Sequence, residues 1–262
     1  METEVHVYAL AISASVLLAF YPFLIVMLSF CHNVLRWRAA EQAIYLALND
    51  FFARDAGEFL ARNLQPWMVG NLKLTSMLLL LVTANGIFEP IEVALNRAWG
   101  VARNRSYFRN QLVSLGLILV CGGLALLSLI FTAVNAQWLA SWAGAPAALV
   151  VWMRLLFFKL AALPFSILAL FLIYWLLPNR KIDPRAVAPA AIAVGLALEF
   201  LKYVNLLIWP LLKSKLEHEY NIFKYSVTIV LWSFIASMIV LAGAHWTATR
   251  GEPTATPGRE AG

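Results

Sequence analysis

Charge is scarce in this chain of 262 residues: Asp, Glu, Lys and Arg make up 13% of it, against 62% for Ala, Val, Ile, Leu, Met, Phe, Trp, Tyr and Cys. A soluble domain carries ~25% charged residues, because its surface needs polar cover that a growing core cannot replace. A water-soluble globule is therefore excluded, and so is disorder, which requires low hydrophobicity. Thirteen glycines and eleven prolines are too few for a collagen-like repeat. Cysteine is equally sparse. Cys31 ends the first apolar stretch and Cys121 lies inside the third, at a different depth, so no disulfide is expected between them. The four histidines, His6, His32, His218 and His245, are scattered, with no HxH or HExxH spacing. There is no GxSxG elbow, P-loop or dinucleotide fingerprint. No metal, cofactor or enzymatic activity is expected on these grounds.

What the chain has instead is length in its apolar runs. A membrane-spanning helix needs ~20 mostly apolar residues. Six stretches supply that, at about 7–31, 72–96, 111–134, 155–177, 186–212 and 223–247. The expected fold is all-α, a polytopic membrane helix bundle of six transmembrane helices in a single domain over 1–250. A disordered cytoplasmic tail rich in Pro, Thr and Gly would follow over 251–262. Residues 135–153 are apolar but hold Gly144 and Pro146. They read as an interfacial connection anchored by Trp138, Trp142 and Trp152, with a seventh span or a re-entrant piece as the alternative. No internal repeat of 20–50 residues is visible.

Orientation follows from the basic loops. The first apolar stretch does not read as a signal peptide, because Glu2 and Glu4 precede it without any Lys or Arg. Arg97, Arg103, Arg105 and Arg109 crowd one short connection; Arg180, Lys181 and Arg185 crowd another, with only Asp183 against them. Both follow even-numbered spans, so both lie on one side, and the positive-inside rule assigns that side and both termini to the cytoplasm. The long first connection, on the outer side, has basic residues diluted by Glu41, Asp50, Asp55 and Glu58. From Ala40 to Arg54 it carries Ile44, Leu48, Phe51 and Phe52 at helical spacing, and a second short helix reaches about Leu64. These are short interfacial helices, or helices packed directly on neighbouring spans.

Ionisable groups inside a bilayer are costly and face the bundle interior. Glu199 and Lys202 stand three apart on one predicted helix, a spacing that lets them pair, and Asn205 extends their face. Glu89 and Glu92 repeat the spacing nearer the cytoplasm, beside Asn85, Gly86 and the helix-disturbing Pro90. Glu89, Glu92, Glu199, Lys202, Asn205 and Asn85 are thus the candidate substrate or proton pathway. The competing reading makes each pair a packing or headgroup-level feature. Arg97, Arg103, Arg105 and Arg109, beside Trp99, Tyr107 and Phe108, are candidate contacts for anionic lipid headgroups, since Arg pairs bidentately with phosphate. An interfacial loop accounts for this mixture better than a nucleic-acid site does.

Several segments resemble the YihY/BrkB family, the virulence factor BrkB-like bacterial inner-membrane proteins once labelled ribonuclease BN. The most specific runs from Ala84 to Arg109, through Phe88-Glu89, Leu95-Asn96-Arg97 and Trp99-Gly100-Val101. Leu177-Pro178-Asn179-Arg180 is similar to a second family segment. Glu199 with Lys202 resembles a third, and the first span with Pro22 after Phe20-Tyr21 a fourth. The resemblance covers roughly Ala11 to Trp246. It implies six spans, cytoplasmic termini and an envelope role connected with serum resistance and lipid movement. Two departures stand out. Many members carry Gly-Ala-Glu where this chain has Gly243-Ala244-His245, and the Tyr-Gly-rich entry to the last span is Glu219-Tyr220-Asn221-Ile222-Phe223-Lys224 here.

Two functions fit: transport or handling of a lipid or small solute through a polar bundle interior, and a structural membrane protein docking a second copy or an envelope partner. Membrane lipids are the expected partners and nucleic acid is not; scattered histidines weigh against a ribonuclease. The prior requirement is hydrocarbon as solvent. Washing membranes with alkaline carbonate should leave the protein wholly in the pellet, and its appearance in the wash would contradict the six-span reading.

Overall fold

The computed structural model describes residues 2–51, 74–101, 107–140 and 147–251, all of them helix or short connection. Helix α1 is Glu2–Phe30, and a π-helical turn extends it to Leu35. Helices α2 (Arg38–Phe51), α3 (Leu74–Ala98), α4 (Tyr107–Ala140), α5 (Ala147–Leu176), α6 (Pro184–Tyr220) and α7 (Lys224–Gly251) follow. Among the described residues each predicted span overlaps one of the six long helices. Val5–Leu35, Pro184–Tyr220 and Lys224–Thr249 are each long and apolar enough to cross a membrane. Leu112–Ser128 and Ala162–Leu176 are shorter apolar pieces of α4 and α5.

The helices overrun the predicted spans because hydropathy marks where hydrocarbon ends, and backbone hydrogen bonding continues past it. Helix α6 runs on through Lys213–Tyr220, a charged stretch of good helix formers. The largest difference lies at 135–153. The structure continues α4 to Ala140 and starts α5 at Ala147, so most of that stretch is helix rather than a separate interfacial connection. Its flanks are rich in Ala, Leu and Val, while Gly144 and Pro146 fall between the two helices, in the part outside the described residues. The second short helix of the first connection and residues 252–262 of the tail are also outside them.

Neighbouring long helices in the chain are neighbours in space. The packing order is α1, α3, α4, α5, α6, α7 and back to α1, which closes a ring. Large apolar side chains remain on its outside: Leu207 is 79% exposed, Leu211 77% and Phe200 68%, all on α6. That surface is what hydrocarbon covers.

Two apolar clusters hold the ring. One joins Ala9 and Ile12 of α1 to Leu95, Leu170, Tyr174, Val194 and Leu241. The other sits toward the far end of α1, where Leu24, Met27, Leu28 and Cys31 meet Ala40, Ile44 and Leu48 of α2. Helix α2 thus packs its apolar face directly on α1 and on Ala125 and Leu126 of α4. The turn that sends it there is closed by Arg36 in the left-handed region, φ 50°, by Trp37 N–H donating to Cys31 O at 3.3 Å, and by His32 Nδ1 against Glu41 Oε1 at 3.0 Å.

Small residues set the closest approaches, as expected where helices associate without water to drive them. A Cβ on Gly243 would fall on Val194 Cγ2 and stand 2.7 Å from Tyr174 Oη. Tyr174 in turn donates to Val240 O at 2.7 Å, so α5, α6 and α7 meet at this point. A Cβ on Gly195 would stand 2.6 Å from Ile167 Cγ1. Gly243→Val should therefore cost about 1–3 kcal/mol of stability through overpacking. Gly122→Ala, where a Cβ meets nothing within 4 Å, should cost nothing. Thermal unfolding in detergent followed by size-exclusion fluorescence would measure both, and equal stability of the two variants would refute this crossing.

Candidate functional site

Helix α6 buries a stripe that turns polar along its length. Val187, Ala191, Val194, Asn205, Trp209 and Leu216 are buried on one side, and Ile192, Leu196, Phe200 and Leu207 are exposed on the other. Lys202 Nζ lies 2.5 Å from Glu199 Oε2, with side chains 13% and 21% exposed. The spacing of three residues delivers the pairing expected from the sequence. Asn205 is 5% exposed, and one turn further Trp209 Nε1 is buried without a hydrogen-bond partner among the described residues.

The two glutamates of α3 are not alike. Glu92 is 4% exposed, and its Oε1 accepts from Asn96 Nδ2 at 3.4 Å, whereas Glu89 is exposed. Residues three apart on a helix are turned ~60° from one another, enough to carry one into the bundle and leave the other outside. The side chain of Asn85 is outside the described residues. Glu92 lies roughly 9 Å from the end of α3 and Glu199 roughly 22 Å from the start of α6 at 1.5 Å per residue, so the two candidate pairs sit at different depths.

Beside Glu92 the structure brings together the two ends that carry the most specific sequence segments. Helix α3 stops in a Schellman turn. Val101 N–H donates to Asn96 O at 2.8 Å and Gly100 N–H to Arg97 O at 3.1 Å, with Gly100 at φ 62°. Trp99-Gly100-Val101 is thus a helix stop in which glycine takes the left-handed position. Asn96 faces the 177–183 connection, and its Oδ1 accepts the backbone N–H of Asn179 at 2.7 Å. Arg180 Nη1 donates to Trp99 O at 3.4 Å, and its guanidinium lies 5.9 Å from the Trp99 ring centroid. Helix α6 then restarts with Asp183 as N-cap, whose Oδ1 accepts from Arg185 N at 3.0 Å, and Pro184 in the first turn. Asn96 is therefore a bracket, with one amide atom on Glu92 and the other on the next connection.

The model of the family described as "Virulence factor BrkB" matches residues 1–261. The chain belongs to that family. Among relatives of this BrkB-family chain, the UPF0761 membrane protein of Chromohalobacter salexigens is 28% identical over 252 residues, covering 93% of the chain and 59% of the relative. That of Chlorobium chlorochromatii is 26% identical over 276 residues, covering 100% of the chain and 60% of the relative. The chain thus spans less than two thirds of the length of either. No solved structure matches it.

Of the predicted arginine cluster, Arg97 in the last turn of α3 and Arg109 in the first turn of α4 are exposed, while Arg103 and Arg105 lie outside the described residues. Sequence reasoning named Trp99 beside the arginines but passed over Asn96 and Asn179 as participants. The signal was there: each asparagine sits beside a helix-stopping segment, and a polar residue next to such a stop in an otherwise apolar protein needs a partner. Among the described residues no three His, Cys, Asp or Glu side chains gather closely enough to hold a metal.

The BrkB-family junction makes a graded prediction. Asn96→Leu strands the Asn179 N–H and removes a partner of Glu92, so it should cost about 1–3 kcal/mol for the amide alone. Gly100→Ala should cost about 1–2 kcal/mol for a side chain at positive φ. Detergent melting curves would show both. An Asn96→Leu protein as stable as wild type would mean that the bracket does not join α3 to the 177–183 connection.

Proposed function

We propose that this chain is a multi-pass protein of the bacterial inner membrane, with both termini cytoplasmic, that transports or handles a lipid or small solute along its polar interior. The observation carrying this reading is the Glu199–Lys202 pair, 2.5 Å apart on a helix otherwise made for hydrocarbon, with Asn205 buried on the adjoining turn. Charged groups in that position are costly, at least ~2.5 kcal/mol each on insertion scales, and mark substrate or ion routes when they face a bundle interior. The buried Trp209 N–H on the same face adds a hydrogen-bond donor for a passing polar group. The basic residues Arg97, Arg180, Lys181 and Arg185 at the opposite end of the route support a cytoplasmic placement and an anionic headgroup as a partner. No catalysed bond change is assigned.

A second reading takes its support from the same pair. Lys202 neutralises Glu199 within one helix, which suits a device for fixing helix register in a structural protein that docks a second copy or an envelope partner.

The two readings part on a double variant. Removing one partner of this partly buried pair leaves the other charge unneutralised, at a cost below the ~3–5 kcal/mol of a fully buried pair, whereas replacing both with apolar side chains is tolerated. Glu199→Ala alone and Lys202→Leu alone should therefore lower the protein level. The combined variant should restore the level and still lose lipid or solute export and envelope integrity. Normal export and permeability at normal protein level in the double variant would remove the transport reading and leave the structural one.

A further inference from the structure

The junction at the end of α3 holds polar atoms that its own folding does not use. Trp99 is 7% exposed and its Nε1 is buried with no hydrogen-bond partner among the described residues. Both amide atoms of the Asn179 side chain, Oδ1 and Nδ2, are buried in the same state. Folding of the connection relies on Asn179 through its backbone N–H on Asn96, not through its side chain. Buried polar groups in native proteins are almost always matched, so two donors and one acceptor left over within a single junction, next to the Arg180 guanidinium, describe a ligand rather than a packing detail.

We propose that Trp99, Asn179 and Arg180 form a recognition site for a phosphoester lipid headgroup that also carries a hydrogen-bond donor, an ammonium or a hydroxyl. The donors choose the phosphate. Trp99 Nε1, Asn179 Nδ2 and the guanidinium offer N–H groups of which a phosphodiester oxygen is the natural acceptor. The acceptor chooses the second group: a side-chain carbonyl oxygen buried in the same junction is satisfied only by an N–H or O–H. Electrostatics favour a singly charged group over a phosphate dianion. Helices α3 and α5 both end here, presenting the negative ends of their dipoles, and the Glu92 carboxylate is buried close by. Arg180 answers only part of this through its bond to Trp99 O. A singly charged diester with a positive or hydroxylated end fits that field.

Depth favours a lipid over a soluble diester. The junction closes the apolar helices α3 and α5, and Trp175 Nε1 donates to Ile182 O at 3.2 Å, which fixes a tryptophan where the apolar segments stop. The inference rests on the membrane placement and needs no transport role for Glu199 and Lys202, so it stands or falls separately from the double variant above.

The test is lipid binding to the purified full-length chain in neutral detergent, followed by native mass spectrometry with phosphatidylethanolamine, phosphatidylglycerol and phosphatidylcholine. The first two bear a hydrogen-bond donor and the third has none. Phosphatidylethanolamine and phosphatidylglycerol should bind ~10-fold more tightly than phosphatidylcholine, about one hydrogen bond's worth. Asn179→Leu, which keeps the backbone bond to Asn96, should bring the three to within ~2-fold of one another. Trp99→Phe, which keeps a ring for Arg180, should weaken all three together. Asn179→Asp adds a charge and removes the amide donor, so it should tilt the preference toward the ammonium lipid over the hydroxyl lipid, a shift that simple loss of packing does not produce. Equal binding of all three lipids by wild type would overturn the proposal, as would an unchanged preference in both Asn179 variants. Competition by inorganic phosphate or glycerophosphoethanolamine as strong as that of the intact lipids would overturn the assignment to a lipid.

Discussion

A bilayer supplies no hydrogen bonds, and everything else in this molecule follows from that. Each backbone amide must be answered inside a helix, so among the described residues the chain is helical throughout its long elements. Each side-chain polar group must be answered by another part of the same protein. Serine and threonine do this locally: Ser13 donates to Ala9 O, Ser237 to Ser233 O and Thr228 to Lys224 O. Lys202 and Glu199 answer one another across one helical turn. Asn96 reaches further, to a connection eighty-three residues along the chain.

Helix ends are where this constraint is hardest to meet, because the last carbonyls have no partner in their own helix. The chain solves the problem differently at each end. Helix α3 stops on Gly100 in a Schellman turn, and Arg180 covers Trp99 O. Helix α1 widens into a π-turn and reverses at Arg36. Helix α6 starts on Asp183 and Pro184 and ends at Asn221, with φ 44°. The polar residues that serve these stops also define the junction between α3 and the 177–183 connection. A structural device and a chemically distinctive surface therefore occupy the same place.

The all-helical bundle and the approximate places of its long helices were legible from hydropathy, since burial in lipid demands long apolar runs. The Glu199–Lys202 contact was equally legible, because a spacing of three fixes it within one helix. What periodicity could not show was anything depending on two helices at once. Glu89 and Glu92 share a spacing but not an environment, since the bundle packs around Glu92 and leaves Glu89 exposed. The run through 135–153 reads as a connection because glycine and proline draw the eye to 144 and 146, yet the helices on either side extend almost to them. Asn96 and Asn179 were visible only as parts of motifs. Their contact needs the fold, because neither local propensity nor hydropathy says which helix ends meet.

The central claim is that α6 turns Lys202, Asn205 and Trp209 into the bundle and its leucines outward. Spin labels placed singly from Ile192 to Leu211 in reconstituted protein measure this through relaxation by oxygen, which concentrates in acyl chains. Accessibility should rise and fall with the helical period, highest at Ile192, Leu196, Phe200, Leu207 and Leu211 and lowest at Val194, Lys202, Asn205 and Trp209. A scan without that period, or one with Lys202 and Asn205 at its maxima, would contradict the account.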